Sequence, residues 1–109
     1  MKRYVFVAVL LVSSCAAHRN NVNERKLYWE GVVHSEIPVG SSYADVERWA
    51  KSRQLQLTTG QNPGEVTAGL EYVPVNDSVC KGFGMSLQLT LNAERNVAQE
   101  LIRSFGNCL

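Results

Sequence analysis

The chain has 109 residues, and its 11 Lys and Arg nearly balance its 10 Asp and Glu. This length suffices for one domain. Because there is no basic excess to neutralise phosphates, nucleic-acid binding has no electrostatic basis, and neither has attachment to a membrane through a polybasic patch.

The N-terminus has the order of a secretory signal peptide. Lys2 and Arg3 precede the apolar run from Tyr4 to Val12, and small residues follow. The nine residues of this run span only about 14 Å as a helix, under half of a bilayer core, so we expect no permanent transmembrane helix here. We assign residues 1–14 to the signal peptide and exclude them from the fold.

The stretch Val12-Ser13-Ser14-Cys15 resembles the lipobox of bacterial lipoproteins, whose cysteine is acylated and becomes the mature N-terminus. Two or three acyl chains such as palmitate on Cys15 would anchor the protein stably, since each buried methylene contributes about 0.8 kcal/mol. Ala16 in the next position resembles lipoproteins that are sent to the outer membrane. The alternative is cleavage after Ala17 without a lipid.

Residues 15–25 are predicted to be the lipidated N-terminus and a tether. This stretch is polar, rich in asparagine and almost free of large apolar residues. Ten flexible residues would reach about 15–20 Å. Residues 26–109 then form a single domain that lies just off the membrane surface.

Two helices are predicted at the start of this domain. In residues 26–34 four apolar side chains share one helical face, although a glycine weakens the pattern and a strand is the alternative. Ile37-Pro38 would end this helix, because the residue before proline avoids the α region. A second helix begins after Ser42, which is a good N-cap, and runs from about residue 43 to residue 53.

Strands follow. Residues 54–59 and 70–73 are predicted as short strands, separated by a loop rich in turn residues. The strongest signal is a C-terminal hairpin around a turn at residues 92–96, with period-two alternation of Phe83, Met85, Leu87, Leu89 and Leu91, continued by Val97, Leu101 and Phe105. We therefore predict an α+β fold in which one or two N-terminal helices pack on a three- to four-stranded antiparallel sheet that ends in a C-terminal hairpin.

The apolar residues of the hairpin set its register. If Leu91 faces Val97, then Leu89 faces Gln99, Leu87 faces Leu101, Phe83 faces Phe105 and Cys80 faces Cys108. Facing Cβ atoms lie roughly 4.5–5.5 Å apart, so we predict a disulfide between Cys80 and Cys108. Export to an oxidising compartment makes this bond chemically reasonable.

The same register leaves one face of the sheet without helices. The residues predicted on this open face are Gln88, Thr90, Ala98, Glu100 and Ile102. Such a face can bind a partner, and so can an edge strand through β-augmentation.

No catalytic or metal-binding pattern is found. His18 and His34 have no second ligand at helical spacing, and Ser41 and Ser42 lie outside any Gly-x-Ser-x-Gly motif, so they are interpreted as surface and capping residues. We therefore predict no enzyme activity, metal, cofactor or small-molecule substrate. The large aromatic residues are interpreted as core side chains rather than a binding cage: Trp29, Tyr43, Trp49 and Tyr72.

The stretch Gly40-Ser41-Ser42-Tyr43-Ala44-Asp45-Val46 resembles the Gly-Met-Thr/Ser-x-x-x-Val helix start of small lipoproteins of the outer-membrane β-barrel assembly machinery (the SmpA/OmlA type) and of the related β-lactamase-inhibitor fold. Leu91-Asn92 and Val97 are similar to the strand–turn–strand ending of these proteins. Ser41 stands where that pattern has Met, and Arg95 where it has Gly. The resemblance implies a helix followed by antiparallel strands, and it identifies no partner-binding residue.

These observations predict a lipid-anchored protein of the bacterial cell envelope, on the outer membrane and facing the periplasm. Its expected role is non-catalytic, as an accessory or scaffold component whose partner is another envelope protein. The alternative is a periplasmic inhibitor or immunity protein that blocks a toxin or an enzyme.

Overall fold

A computed structural model of the protein describes residues 17–75 and 79–108. Two helices pack on one face of a four-stranded antiparallel sheet with strand order β1-β2-β3-β4, which confirms the predicted α+β class and the C-terminal hairpin. The elements are α1 (Ala17–Glu36), α2 (Tyr43–Ser52), β1 (Leu57–Thr59), β2 (Glu65–Pro74), β3 (Cys80–Leu91) and β4 (Val97–Cys108).

Helix α1 confirms the helix expected over residues 26–34, but it begins at Ala17. A flexible chain was predicted for residues 16–25, and the structure has helix instead over residues 17–25. The polar composition of this stretch gave no amphipathic pattern from which a helix could be predicted. Tertiary contacts stabilise the helix there. Val22 packs against the core, and Arg25 forms an ion pair with Glu71 of β2 at 2.7 Å. Helical structure that local sequence favours weakly is commonly stabilised by such packing.

Helix α2 forms where the sequence predicts it. Ser42 is the N-cap, and its hydroxyl accepts a hydrogen bond from the backbone N–H of Asp45 at 3.1 Å. This bond satisfies one of the free amides in the first turn. Val46, Trp49 and Ala50 are buried on one face of the helix.

One carboxylate joins the ends of the two helices. Glu36 at the end of α1 accepts hydrogen bonds from Trp49 Nε1 at 2.8 Å and from the Arg53 guanidinium at 2.7 and 3.0 Å. The bonds from Arg53 and Trp49 lower the pKa of the Glu36 carboxyl. These bonds connect the end of α1 to α2 and to the residue that follows it.

The sheet differs from the prediction in strand length. β1 is shorter than residues 54–59, and β2 is longer than residues 70–73. The turn at residues 92–96 forms as expected, since Asn92 Oδ1 accepts hydrogen bonds from the N–H groups of Glu94 and Asn96. The core lies between the helices and the sheet, and its residues that are less than 2% exposed are Val33, Ile37, Val46, Leu87, Leu89 and Val97.

In the part of the chain that the structure describes, neither helix combines the length and the apolar character needed to cross a bilayer.

Candidate partner-binding face

Among the described residues, three exposed large hydrophobic side chains lie on the face of the sheet opposite the helices. Tyr72, Leu101 and Phe105 are 52%, 46% and 55% exposed. Tyr72 and Phe105 belong to one cross-strand row, because Tyr72 pairs with Gly84 and Gly84 pairs with Phe105. Paired residues project from the same side of a sheet. We call Tyr72, Gly84, Leu101 and Phe105 the open-face patch.

Glycines shape the floor of this patch. A Cβ atom at Gly82 would overlap the ring of Tyr72, 2.7 Å from its Cε2 atom, so the aromatic ring lies directly over the Gly82 backbone. At Gly84 a Cβ would meet no heavy atom within 4 Å. Gly84 therefore leaves a bare strip of backbone between the side chains of Tyr72 and Phe105.

Leu101 and Phe105 lie on the open face because of a β-bulge in β4 that the sequence pattern did not reveal. Leu91 pairs with Val97 as predicted, but Thr90 pairs with Gln99, so Ala98 is an extra residue in β4. A one-residue shift of register moves every following side chain to the other face of the sheet.

The bulge overturns the predicted pairs in the middle of the hairpin. Leu89 faces Glu100, Leu87 faces Ile102 and Phe83 faces Gly106, rather than Gln99, Leu101 and Phe105. As a result Leu101 and Phe105, which were predicted on the core side, are exposed. Ile102, which was predicted on the open face, is 4% exposed and belongs to the core.

The remaining predicted open-face residues have mixed outcomes. Gln88 and Thr90 lie on the open face, because they alternate with the buried leucines of β3. Ala98 is the exposed bulge residue, and Glu100 lies on the helix side. Tyr72 was interpreted as a core residue, and that interpretation is wrong. The other three aromatic residues lie in or against the core: Trp29, Tyr43 and Trp49.

A second bulge restores the predicted register at the open end of the hairpin. Gly82 pairs with Asn107 but Cys80 pairs with Cys108, so Lys81 is an extra residue in β3. The two shifts cancel, and Cys80 and Cys108 lie at disulfide-bonding distance, in agreement with the predicted pair.

The first bulge also places a carboxylate beneath helix α1. Glu100 contributes to a cleft of about 420 Å³ between α1 and β4, lined by Glu30, Gly31, Val33, His34, Glu100, Leu101 and Ile102. Glu100 Oε2 is buried and has no hydrogen-bond partner among the described residues. Burial raises the pKa of the Glu100 carboxyl, and the nearby His34 acts in the opposite direction.

A second carboxylate on the same side of the sheet has partners. Glu71 Oε1 accepts hydrogen bonds from Arg25 Nε at 2.7 Å and from Trp29 Nε1 at 2.6 Å. Burial alone would raise the pKa of the Glu71 carboxyl, but these two bonds and the charge of Arg25 outweigh it and lower that pKa. Glu71 is thus stabilised as an anion, whereas for Glu100 the effect of burial outweighs that of His34 and disfavours the ionised form.

The other predicted site residues are placed as follows. Cys15, the predicted lipidation site, lies outside the described residues. The side chain of His18 is likewise not described, and His34 lines the cleft beside α1. Across residues 17–75 and 79–108, no group of three or more His, Cys, Asp or Glu side chains comes together in a way that could hold a metal ion.

Comparisons with protein-family models, with curated proteins and with solved structures give no match to this chain. The similarity to outer-membrane assembly lipoproteins therefore remains a prediction based on two short stretches of sequence.

Proposed function

We propose that this protein is a lipid-anchored, non-catalytic accessory protein of the bacterial cell envelope that binds another envelope protein through its open-face patch. The anchor is argued from the sequence alone, through the signal-peptide pattern and Cys15. The paired Cys80 and Cys108 support export, because disulfides persist in oxidising compartments.

The observation that carries the binding role is the exposure of Tyr72, Leu101 and Phe105 on one face. Removing a large apolar side chain from water stabilises a protein by about 1.5–3 kcal/mol. In this fold the bulge at Ala98 turns Leu101 and Phe105 away from the core, so burial of these two side chains does not stabilise the isolated domain. Positions that break the sequence–structure pattern concentrate at functional sites, where a partner supplies the missing contacts.

The patch indicates the chemistry of the partner surface. The aromatic side chains of Tyr72 and Phe105 flank the bare backbone at Gly84. This arrangement suits an apolar side chain of a partner protein that inserts between the two rings. Aromatic anchors in such a setting commonly carry most of the binding free energy of an interface. We expect the partner to be an envelope component that stays within reach of the anchor.

The anchor is tested by labelling cells with a palmitate analogue. The full chain should incorporate the label and fractionate with the outer membrane, whereas Cys15→Ala should lose the label. The control Cys80→Ala should keep it, because that cysteine is assigned to the folded domain. A full chain that remains unlabelled and unprocessed would overturn the anchored role.

The binding face is tested by photo-crosslinking in cells. A photoreactive amino acid at Leu101 should crosslink to one defined protein, identified by mass spectrometry. The same amino acid at Glu47, an exposed position on α2, should not. An envelope component supports the proposal, a secreted toxin or an enzyme would favour the inhibitor alternative, and equal crosslinking at both positions would refute the open-face patch.

A further inference from the structure

The cleft between α1 and β4 has an acidic and apolar lining. Glu30 and Glu100 supply carboxylates, and His34 supplies an imidazole. Val33 and Ile102 supply apolar surface, and Leu101, whose side chain lies on the open face, borders the cleft. None of the described residues that line the cleft is Lys or Arg. At Gly31 a Cβ would meet no heavy atom within 4 Å, so no side chain fills the space above this glycine. The cleft is therefore complementary to a positive charge carried on an apolar chain.

Glu100 carries the buried side-chain oxygen of this cleft that lacks a hydrogen-bond partner among the described residues. Its Oε2 atom is buried without a hydrogen bond, in contrast to Glu71, which Arg25 and Trp29 satisfy. An ionised carboxylate in apolar surroundings is costly unless a cation approaches it. A lysine or arginine side chain supplies the cation, and its methylene groups can pack against Val33 and Ile102.

The neighbouring strand indicates how such a side chain would arrive. β4 is one of the two edge strands of the sheet. Its first residue is covered, since Val97 exchanges backbone hydrogen bonds of 2.8 Å with Gly40 and Ser41. From Ala98 onward no described segment pairs with the outer edge of β4. An extended segment added at this edge would project alternate side chains toward the helix side, where the cleft opens.

We infer that the α1–β4 cleft is a binding site for a lysine or arginine side chain of an extended partner segment that pairs with the edge of β4. The inference deepens the proposed function and rests on it, because it names the chemistry of the partner. The open-face patch and the cleft lie on opposite sides of β4, so one partner can engage both.

The test uses the full chain isolated in detergent at about pH 8, with backbone amide shifts followed by NMR. The probe is an acetylated pentapeptide amide, Val-Thr-Lys-Thr-Val. The matched control peptide has norleucine in place of lysine, which keeps the alkyl chain and removes the charge. We expect shifts at Gly31, Glu100 and Ile102, and binding about tenfold weaker for the norleucine peptide, as for a lost charged contact.

Variants assign the effect to the cleft. Glu100→Gln should weaken the lysine peptide by about tenfold. Glu47→Gln, which removes the same charge from an exposed position on α2, should leave binding unchanged. Glu100→Gln removes the charge of a partly buried carboxylate whose Oε2 atom has no hydrogen bond to lose, so we expect the variant to stay folded and the comparison to remain interpretable.

Three outcomes would overturn the inference: equal binding of the two peptides, no effect of Glu100→Gln, or butylammonium binding as tightly as the lysine peptide, which would indicate a small-amine site. These outcomes are independent of palmitate labelling and of crosslinking at Leu101. A cleft that fails these tests while Leu101 still crosslinks to an envelope protein would refute this inference alone.

Discussion

The two faces of the sheet bear similar apolar side chains and bury them to very different extents. On the helix-covered face Leu87 and Leu89 are fully buried, whereas on the open face Leu101 and Phe105 are about half exposed. The same residue type, leucine, occurs on both faces. Burial in this protein is therefore decided by register, through the extra residue Ala98, and not by composition.

The largest expected contrast between the faces is in stability. Leu87→Ala should lower the free energy of unfolding by about 2–5 kcal/mol, because it leaves a cavity in the core. Leu101→Ala should change it by about 0.5 kcal/mol or less, as at an exposed position. Urea denaturation of both variants measures the difference. Equal destabilisation would mean that Leu101 is part of the core and that β4 has no bulge at Ala98.

The cysteine pair should matter more to the open end of the hairpin than to the core. The half-cystines are 28 residues apart, and the chain-entropy model gives such a bridge about 3–4 kcal/mol. Replacing both cysteines with serine should lower stability by this amount and increase amide hydrogen exchange near Phe105 before it does so near Leu87. An unchanged urea midpoint on reduction would contradict the bridge.

Two glycines within the open face should respond differently to the same substitution. Gly82→Ala should displace the Tyr72 ring and destabilise the protein by up to about 1 kcal/mol, since the added methyl overlaps the far end of this half-exposed side chain. Gly84→Ala meets open space and should be neutral or stabilising by up to about 0.5 kcal/mol, because glycine is unfavourable within strands. Thermal unfolding distinguishes the two variants. In the crosslinking experiment with the photoreactive amino acid at Leu101, Gly84→Ala should reduce the yield of crosslinked partner without lowering stability. Gly82→Ala should not combine these two effects.

The smallest expected difference in stability is between the effects of the two carboxylates on the helix side, Glu71 and Glu100. The pKa of Glu71 is lowered, so its contribution to stability is present above the ordinary value of 4.5 and is lost as pH falls through the folded-state pKa. The pKa of Glu100 is raised, so its ionisation destabilises the fold as pH rises from 4.5 through the folded-state pKa.

Glutamine substitutions at Glu71 and Glu100 should change the free energy of unfolding in opposite directions. At neutral pH, Glu71→Gln should destabilise the protein by about 1 kcal/mol, and Glu100→Gln should stabilise it by a similar or smaller amount. Both differences should shrink toward pH 3. Unfolding curves at several pH values provide the measurement, and effects of the same sign at neutral pH would show that Glu100 has a partner in solution.

The sequence predicts the elements of this fold better than the faces of its strands. The hairpin, helix α2 with its Ser42 cap, and the facing cysteines follow from local patterns of capping and alternation. Both ends of the hairpin agree with the prediction because the extra residues Ala98 and Lys81 cancel. Between them the predicted register is wrong by one residue, and that stretch contains the candidate site.

One signal in the sequence could have indicated the bulge. Leu101 and Ile102 are adjacent large apolar residues in β4, and strict alternation can bury only one of them. Alternation alone does not decide which one, because that depends on packing beneath α1. The helical start at Ala17 was missed for a similar reason, since the contact between Arg25 and Glu71 joins residues distant in the chain.

The early start of α1 bears on how an anchored molecule would be oriented. With a lipid on Cys15, only Ala16 separates the acyl chains from a helix of 20 residues, which is about 30 Å long. A helix attached to the bilayer through so short a linker would restrict the rotation of the domain more than a flexible tether of ten residues would. If Cys15 carries the proposed lipid, the end of the domain near Arg25 and Glu71 lies closer to the point of attachment than the turn at residues 92–96 does.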